Sequence, residues 1–442
     1  MMRKIPLPKR SAVLGLLVFC VLLGAAWAQT ETVLYSFCAQ GGKRCTDGAI
    51  PFGGLVFDQA GNVYGTTLQG GAHGRGVVFK LTPKGKQTVL YNFCSRKDCA
   101  DGEYPYADLV LDQKGDLYGA TSSGGVHRKN GTCRSGGCGV VFEITPEGKE
   151  IVLYNFCAQS GCTDGGYPDA GVVFDQKGNL YGTTGYGGSY NGFCHGNGGC
   201  GVVFKLSPEG KETVLYRFCA HNNSCLDGAN PHGVVFDQKG NLYGTTTLGG
   251  VHEVCALGTV GCGVVFKLTP KGQETVLYSF CALGGQNCSD GQFPNTGLVF
   301  DQNGNLYGTT EFGGESGTGT AFKLTPEGKE IVLHSFCAHN DCTDGQAPLR
   351  GPVIDQQGNL YGTTYFGGAY EHCDFDASGC GVIFKIPPRG QETVVYSFCP
   401  QKGCTDGADP ETTLVFDQKG NLYGMTQYGG AHNNGAVFKL TP

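Results

Sequence analysis

Past its first 28 residues the 442-residue sequence has no long hydrophobic run, so no further stretch is suited to cross a membrane as a helix. Helix-favouring runs are scarce, and 76 glycines point instead to an all-β, turn-rich protein. Positive charge is also short: 32 Lys and Arg stand against 38 Asp and Glu, which argues against nucleic-acid or anionic-membrane partners. The single tryptophan is Trp27. No nucleophile elbow, zinc-protease motif, phosphate loop or paired-carboxylate signature is present, so no enzyme class follows from motifs.

The first 28 residues differ in kind. Arg3, Lys4, Lys9 and Arg10 make a positive start, an apolar run follows from Ala12 to Ala26, and Ala26-Trp27-Ala28 reads as a cleavage site. The run is short for a membrane helix. Cys20 follows Phe19 inside it, a poor setting for lipid attachment. Residues 1–28 are therefore expected to be a secretory signal peptide. Losing it removes four basic residues and leaves a net charge of about −10 on residues 29–442. The mature product is expected to be a soluble monomer, periplasmic or extracellular.

What is present is repetition. The phrase from Glu31 to Cys38 recurs, with small changes, from Gln87, Glu150, Glu212, Glu274, Glu330 and Glu392. Each copy continues with a Cys-x-Asp-Gly element such as Cys45 to Gly48, a proline, a Val-Val-Phe-Asp run, Gly-Asn-Leu-Tyr-Gly-Thr-Thr, a Gly-Gly pair and Val-Val-Phe-Lys-Leu-Thr-Pro. The copies span 31–86, 87–149, 150–211, 212–273, 274–329, 330–391 and 392–442. A period of about 59 residues suits propeller blades or solenoid coils.

Each copy holds four short β-type segments, in the third Ile151–Phe156, Val172–Phe174, Leu180–Thr184 and Val202–Leu206. Asp175-Gln176-Lys177-Gly178 suits a tight type I turn, as does Pro208-Glu209-Gly210-Lys211. Four antiparallel strands make a blade, and seven blades close a ring with only short edges. With the Leu55-Val56-Phe57 segment innermost, the strand from Glu31 to Phe37 is outermost and completes the blade begun by Leu414 to Phe416. A β-solenoid is the alternative, but it needs two end caps and neither terminal copy is atypical.

The carriers Val33-Leu34-Tyr35-Ser36-Phe37, the run from Asp175 to Thr184 and the run from Gly263 to Pro270 resemble the GloVer-type tandem repeat of bacterial exported proteins. The resemblance covers essentially all of residues 29–442. It implies export and a β-propeller-like fold, but no activity and no catalytic residues.

Of 23 cysteines, 22 follow the leader. Every copy has a close pair after its first strand: Cys38/Cys45, Cys94/Cys99, Cys157/Cys162, Cys219/Cys225, Cys281/Cys288, Cys337/Cys342 and Cys399/Cys404. Four copies add a pair after Gly-Gly: Cys133/Cys138, Cys194/Cys200, Cys255/Cys262 and Cys373/Cys380. The first, fifth and seventh copies lack both members of that second pair, and none lacks one. Loss in pairs is the mark of disulfide partners, and export favours oxidation. A Cys₄ zinc site is the competing reading, but it would leave three copies with two ligands.

In a meander both cysteine loops fall on one face and both tight turns on the other, so the loop face is where a site is sought. The recurrent Asp58, Asp112, Asp175, Asp237, Asp301, Asp355 and Asp417 read as turn caps. Asp47, Asp101, Asp164, Asp227, Asp290, Asp344 and Asp406 read as loop-stabilising hydrogen-bond acceptors. Calcium is a weak alternative for both sets, because one carboxylate per loop is too few hard ligands. No other cofactor is indicated. After the recurrent proline stand seven different residues, Phe52, Tyr106, Asp169, His232, Asn295, Leu349 and Glu411, with Asp108 and Arg350 close by. Around the channel mouth they would supply what one asymmetric ligand requires; drift on an exposed loop is the plainer explanation. Tyr106, Asp108, Asp169, His232, Asn295, Arg350 and Glu411 are the candidate ligand-binding residues.

A second set follows Gly-Gly: His73, His127, Tyr190, His252, Tyr370 and His432. The histidines could hold a metal only if they converged, and surface placement is simpler. Tyr186, Tyr190, Phe193, Tyr365, Phe366, Tyr370 and Phe375 could stack against sugars or pack on disulfides. The favoured expectation is a non-enzymatic exported propeller that binds a ligand or partner through its loop face, such as a carbohydrate or an envelope component. One alternative is a lyase- or hydrolase-like enzyme at the channel mouth, with Asp169 and Glu411 as an acid/base pair. The other is a structural protein of an extracellular layer.

Overall fold

The computed structural model describes residues 30–40, 44–127, 133, 136–190, 194, 198–220, 224–252, 255, 261–284, 287–338, 341–370, 373 and 378–441. The expected signal peptide, Phe193 and Phe375 lie outside the described residues. Seven four-stranded antiparallel sheets follow one another around a ring. In the third, Val173–Phe174 is innermost, followed outward by Leu180–Thr184, Val202–Leu206 and Glu212–Arg217. Each outer strand therefore comes from the copy after the one that supplies the other three. The outer strand of the second blade is Glu150–Asn155 rather than Ile151–Phe156. Phe156 lies just beyond it, its N–H bonded to Gly139 O and its ring turned into the next blade.

Closure uses the same arrangement. Thr30–Ser36 pairs with Ala436–Thr441, so the first strand is the outer strand of the last blade. The ring has no solenoid ends.

Blades meet through two aromatic ladders and one proline contact. The Phe that ends each outer strand meets the third-strand Phe of the next blade edge-on, as in Phe156–Phe204 at 5.1 Å and Phe218–Phe266 at 5.1 Å. Phe37–Phe79, also 5.1 Å, is that contact across the closure. Each such pair adds about 1 kcal/mol to the ~2–3 kcal/mol from burying a Phe. The glycine of Leu-Tyr-Gly-Thr-Thr makes room for the ring: a Cβ on Gly182 would sit 2.7 Å from Phe204 Cζ. Nearer the axis, five of the second-strand tyrosines meet the inner-strand Phe of the following blade, as in Tyr181–Phe236 at 5.0 Å; Leu111 and Ile354 take the place of that Phe in the other two blades.

The recurrent proline packs on the glycine before the third strand of the preceding blade. At Gly201, where φ is +87°, a Cβ would lie 2.3 Å from Thr184 O and 2.5 Å from Pro231 Cδ. Gly435 and Pro51 repeat this across the closure. The proline thus fixes where the chain enters each inner strand, and with it the direction of the residue that follows.

Both recurrent aspartates have structural partners. Asp175 Oδ1 accepts from Lys177 N (2.8 Å) and Asn179 N (2.9 Å), and Oδ2 from Asn179 Nδ2 (2.7 Å) and Tyr181 OH (3.1 Å). Burial works to raise its pKa, but these bonds outweigh it and hold the carboxyl below its ordinary value. In the loop set, Asp164 Oδ2 accepts from Tyr154 OH and Ala158 N, both at 2.8 Å. Tyr35–Asp47, Tyr91–Asp101, Tyr216–Asp227, Tyr278–Asp290 and Tyr396–Asp406 repeat the contact, and His334 takes the tyrosine's place beside Asp344.

Candidate functional site

The inner strands of all seven blades line one axial cavity of about 350 Å³. Asp108, Asp169, His232, Asn295 and Arg350 are on its wall, and Tyr106 and Glu411 stand behind Arg350. The position after the proline thus supplies Asp169, His232 and Asn295 from three consecutive copies, while Asp108 and Arg350 reach the same wall from positions one or two residues further on.

Two groupings share the cavity. On one side the Arg350 guanidinium lies 4.2 Å from the Phe52 ring centroid and 5.4 Å from that of Tyr106, and these two rings stack at 3.9 Å. Its nearest carboxylate is Glu411, Nη2 to Oε1 at 3.8 Å, too long for a hydrogen bond. Glu411 Oε2 is taken by Gln427 Nε2 at 2.6 Å, and Gln427 Oε1 accepts from Tyr365 OH at 3.5 Å. Burial pushes Glu411 up to about 7, against the pull of Arg350 and with a small push from Glu311. Burial likewise raises the Tyr106 hydroxyl.

Opposite, Asp169 and His232 sit on neighbouring blades. Burial raises the Asp169 carboxyl, and its interaction with His232 only partly offsets this. Burial lowers His232, against the pull of Asp169. Asp169 is open to the cavity along part of its side chain, while its Oδ1 is sealed and accepts no hydrogen bond. Asn295 is tied to Glu311, Nδ2 to Oε2 at 2.8 Å. Asp108 is partly committed to the scaffold, because one of its oxygens accepts from Gly54 N. Leu349 is not among the cavity-lining residues.

The wall therefore offers one guanidinium beside an aromatic platform, the carboxyls of Asp108 and Asp169, an imidazole and an amide. Such a set can donate to and accept from several hydroxyls and shield an apolar ring face. Glu311 and Gln427 escape the sequence argument. Both directly follow the second strand (Gly-Thr-Thr before Glu311, Gly-Met-Thr before Gln427), where the copies read Leu68, Ser122, Gly185, Thr247, Glu311, Tyr365 and Gln427. That position varies as the post-proline position does, and this was the available signal.

The other candidates do not join the cavity. His73 and His432 are exposed, and His127 and His252 are partly so. Among the described residues, the groups of three or more metal-ligating side chains are built of cysteines, one with Glu103, and none includes these histidines. Tyr190 and Tyr370 are exposed, Tyr186 stacks on Tyr167 at 4.9 Å, and Tyr365 meets Phe366 edge-on at 4.6 Å.

All eleven cysteine pairs are disulfides. The second pair of a copy lies beside the first pair of the next: the sulfurs of Cys194, Cys200, Cys219 and Cys225 are all within 4.8 Å of one another. The four cysteines that meet thus come from two successive copies and not from one, as the Cys₄ alternative would have had it, and the sulfurs are joined in pairs. The first pairs are not all alike, however. Cys38–Cys45 and Cys337–Cys342 follow copies that lack a second pair, so neither joins such a group. Cys38, Cys45, Cys337 and Cys342 are only half-buried, whereas Cys225, packed against a second pair, is fully buried. No cysteine lines the axial cavity, so the disulfide loops, Cys342 among them, are scaffold around the site and not part of it. Eleven disulfides fit an oxidising, extracellular setting. Among the described residues no helix is long and apolar enough to cross a membrane.

Solved structures share the fold at low identity. A polysaccharide lyase, Uly1, is 11% identical, with 89% of this chain and 90% of that one covered and a TM-score of 0.50. A protein described as a candidate 6-phosphogluconolactonase from Bacteroides uniformis is 18% identical, with coverage of 83% and 88% and a TM-score of 0.46. A luciferin-regenerating enzyme is 14% identical, with coverage of 76% and 90% and a TM-score of 0.40. At these identities the likeness is one of fold. No curated protein sequence matches. The Gloeobacter/Verrucomicrobia repeat model matches residues 25–252, 131–286 and 254–442, so this seven-bladed, disulfide-bonded propeller belongs to the Gloeobacter/Verrucomicrobia repeat family.

Proposed function

We propose that the protein is an exported binding module whose axial cavity takes one small polyhydroxylated ligand, such as a sugar unit of a glycan or envelope polymer. One observation carries this reading. Of the seven different side chains at one repeat position, Asp169, His232 and Asn295 line a cavity of about 350 Å³, the size of a small-molecule site, and Arg350 joins them from the next position along the chain. The strands themselves repeat from copy to copy, so this chemical variety stands on a constant scaffold. Arg350 over Phe52 and Tyr106 supplies a cation beside apolar faces, and Asp169, His232 and Asn295 supply hydrogen-bonding groups opposite. Export rests on the leader read from residues 1–28 and on the disulfides.

The test is glycan-array binding by the natural protein and by an Arg350→Ala/His232→Ala variant. Binding by the natural protein and at least a tenfold loss in the variant, roughly 1.4 kcal/mol or more, is expected. Equal binding by both sinks the axial site, and no binding by the natural protein sinks the carbohydrate. A second reading, an enzyme at the same cavity, draws on Glu411, whose carboxyl is held at about 7, where a general acid works best at neutral pH. New reducing ends or unsaturated products in the same incubations would favour it.

A further inference from the structure

Away from the axis, each outer strand opens on a side chain that the scaffold leaves without an obvious partner. Glu31, Glu150, Glu212, Glu274 and Glu330 stand opposite Leu440, Ile144, Leu206, Leu268 and Leu324 of the third strand, and Glu392 immediately precedes its own outer strand. In all six, Oε1 is buried and accepts no hydrogen bond. The first blade contains a natural control, since Gln87 holds the same register opposite Leu81. Its Oε1 is equally buried and unpartnered, and its Nε2 donates to the main-chain oxygen of Asp47 at 3.0 Å. A donor at this position therefore finds the carbonyl of the Cys-x-Asp-Gly loop. A carboxylate there would point acceptor at acceptor, whereas a carboxylic acid can donate as the amide does.

We propose that five of the six glutamates, all but the Arg96-paired Glu150, are protonated latches, each donating its carboxyl proton to the main-chain carbonyl of the loop aspartate beside it, so that the ring tightens in acid and loosens in base. The surroundings agree in sign. Burial raises all six to about 7, and the charged neighbours mostly add to this. Glu31 faces Asp406 and Tyr396, Glu274 faces Asp227 and Tyr216, and Glu330 faces Asp290 and Tyr278. Glu212 faces Asp164 and Tyr154 with Arg217 opposing, and Glu392 faces Asp344 with His334 opposing. Glu150 is the mixed case: it faces Asp101 and Tyr91, but Arg96 Nη2 lies 2.6 Å from its Oε2. With a folded value near 7 against an ordinary 4.5, the folded ring holds more protons than the unfolded chain across that interval. The stabilisation is complete below the ordinary value and is lost as pH rises through the folded one.

Thermal unfolding of the natural protein and of a Glu31→Gln/Glu212→Gln/Glu274→Gln/Glu330→Gln/Glu392→Gln variant, between about pH 5 and about pH 9, tests this. The natural midpoint should fall by roughly 10 °C over the range and that of the variant by less than half as much. Gln87→Glu, which adds a sixth latch, should steepen the fall. Equal slopes in all three proteins overturn the proposal. If the fivefold variant fails to fold, infrared spectra of the folded natural protein decide. A carboxylic-acid band present at about pH 6 and lost by about pH 9 supports the latches, and its absence at the lower pH overturns them.

Discussion

The inner and outer edges of the blades are built from the same repeat but treat it oppositely. At the outer edge every blade does the same thing: a tyrosine, or once a histidine, holds the loop aspartate, and a glutamate or glutamine opens the strand. At the inner edge the residue after the proline is different in each of seven copies, although the proline beneath it packs on glycine in the same way around the ring. The outer edge repeats one pattern of bonded and unbonded groups, its buried Glu or Gln Oε1 included, whereas the inner edge leaves Asp169 Oδ1 and two nitrogens of Arg350 unbonded at positions that other copies fill differently. Unbonded buried groups cost stability at either edge, but those of the inner edge belong to side chains that differ from copy to copy, so the inner edge reads as a surface kept for something other than folding.

The largest expected effect falls on the contact the two edges share. Gly201→Ala would push a methyl into Thr184 O and Pro231 at a φ that disfavours side chains, and should cost about 3 kcal/mol or more in denaturant unfolding. Asp290→Ala leaves Tyr278 OH and Ala282 N without their acceptor, and a loss of about 2–3 kcal/mol is expected. Removing one second-loop disulfide by Cys194→Ser/Cys200→Ser opens only a short loop. It should cost about 2 kcal/mol and leave the blade folded, because three copies manage without that pair. His232→Ala should change stability least, within about 1 kcal/mol. If instead it destabilises as much as Asp290→Ala, the inner edge is scaffold and the contrast between the edges fails.

The fold was legible because the chain repeats it. Seven copies expose what single strands hide: glycines under phenylalanine rings recur, cysteines vanish in pairs, and the starting phase places the first strand in the last blade. The cavity was legible only in part. Comparing copies singles out Asp169, His232, Arg350 and Glu411, but not that Asp108 is partly used by Gly54 N. Nor does it reveal that Glu311 and Gln427 reach the same network through Asn295 and Glu411. Those contacts join residues 16 positions apart within a copy, across a strand whose local pattern says nothing of its partner's side chain.

By itself the sequence determined the number of blades, their strand order and their cysteine pairs, since all three follow from local alternation, turn chemistry and short spacing. Only the closed ring decided which residues meet. Rotation from blade to blade carries the inner strands of seven copies to a single axis, and sets each outer-strand glutamate against a neighbouring loop. Neither juxtaposition is encoded in a 59-residue period, because a period fixes what each blade looks like and not how far the ring turns before it closes.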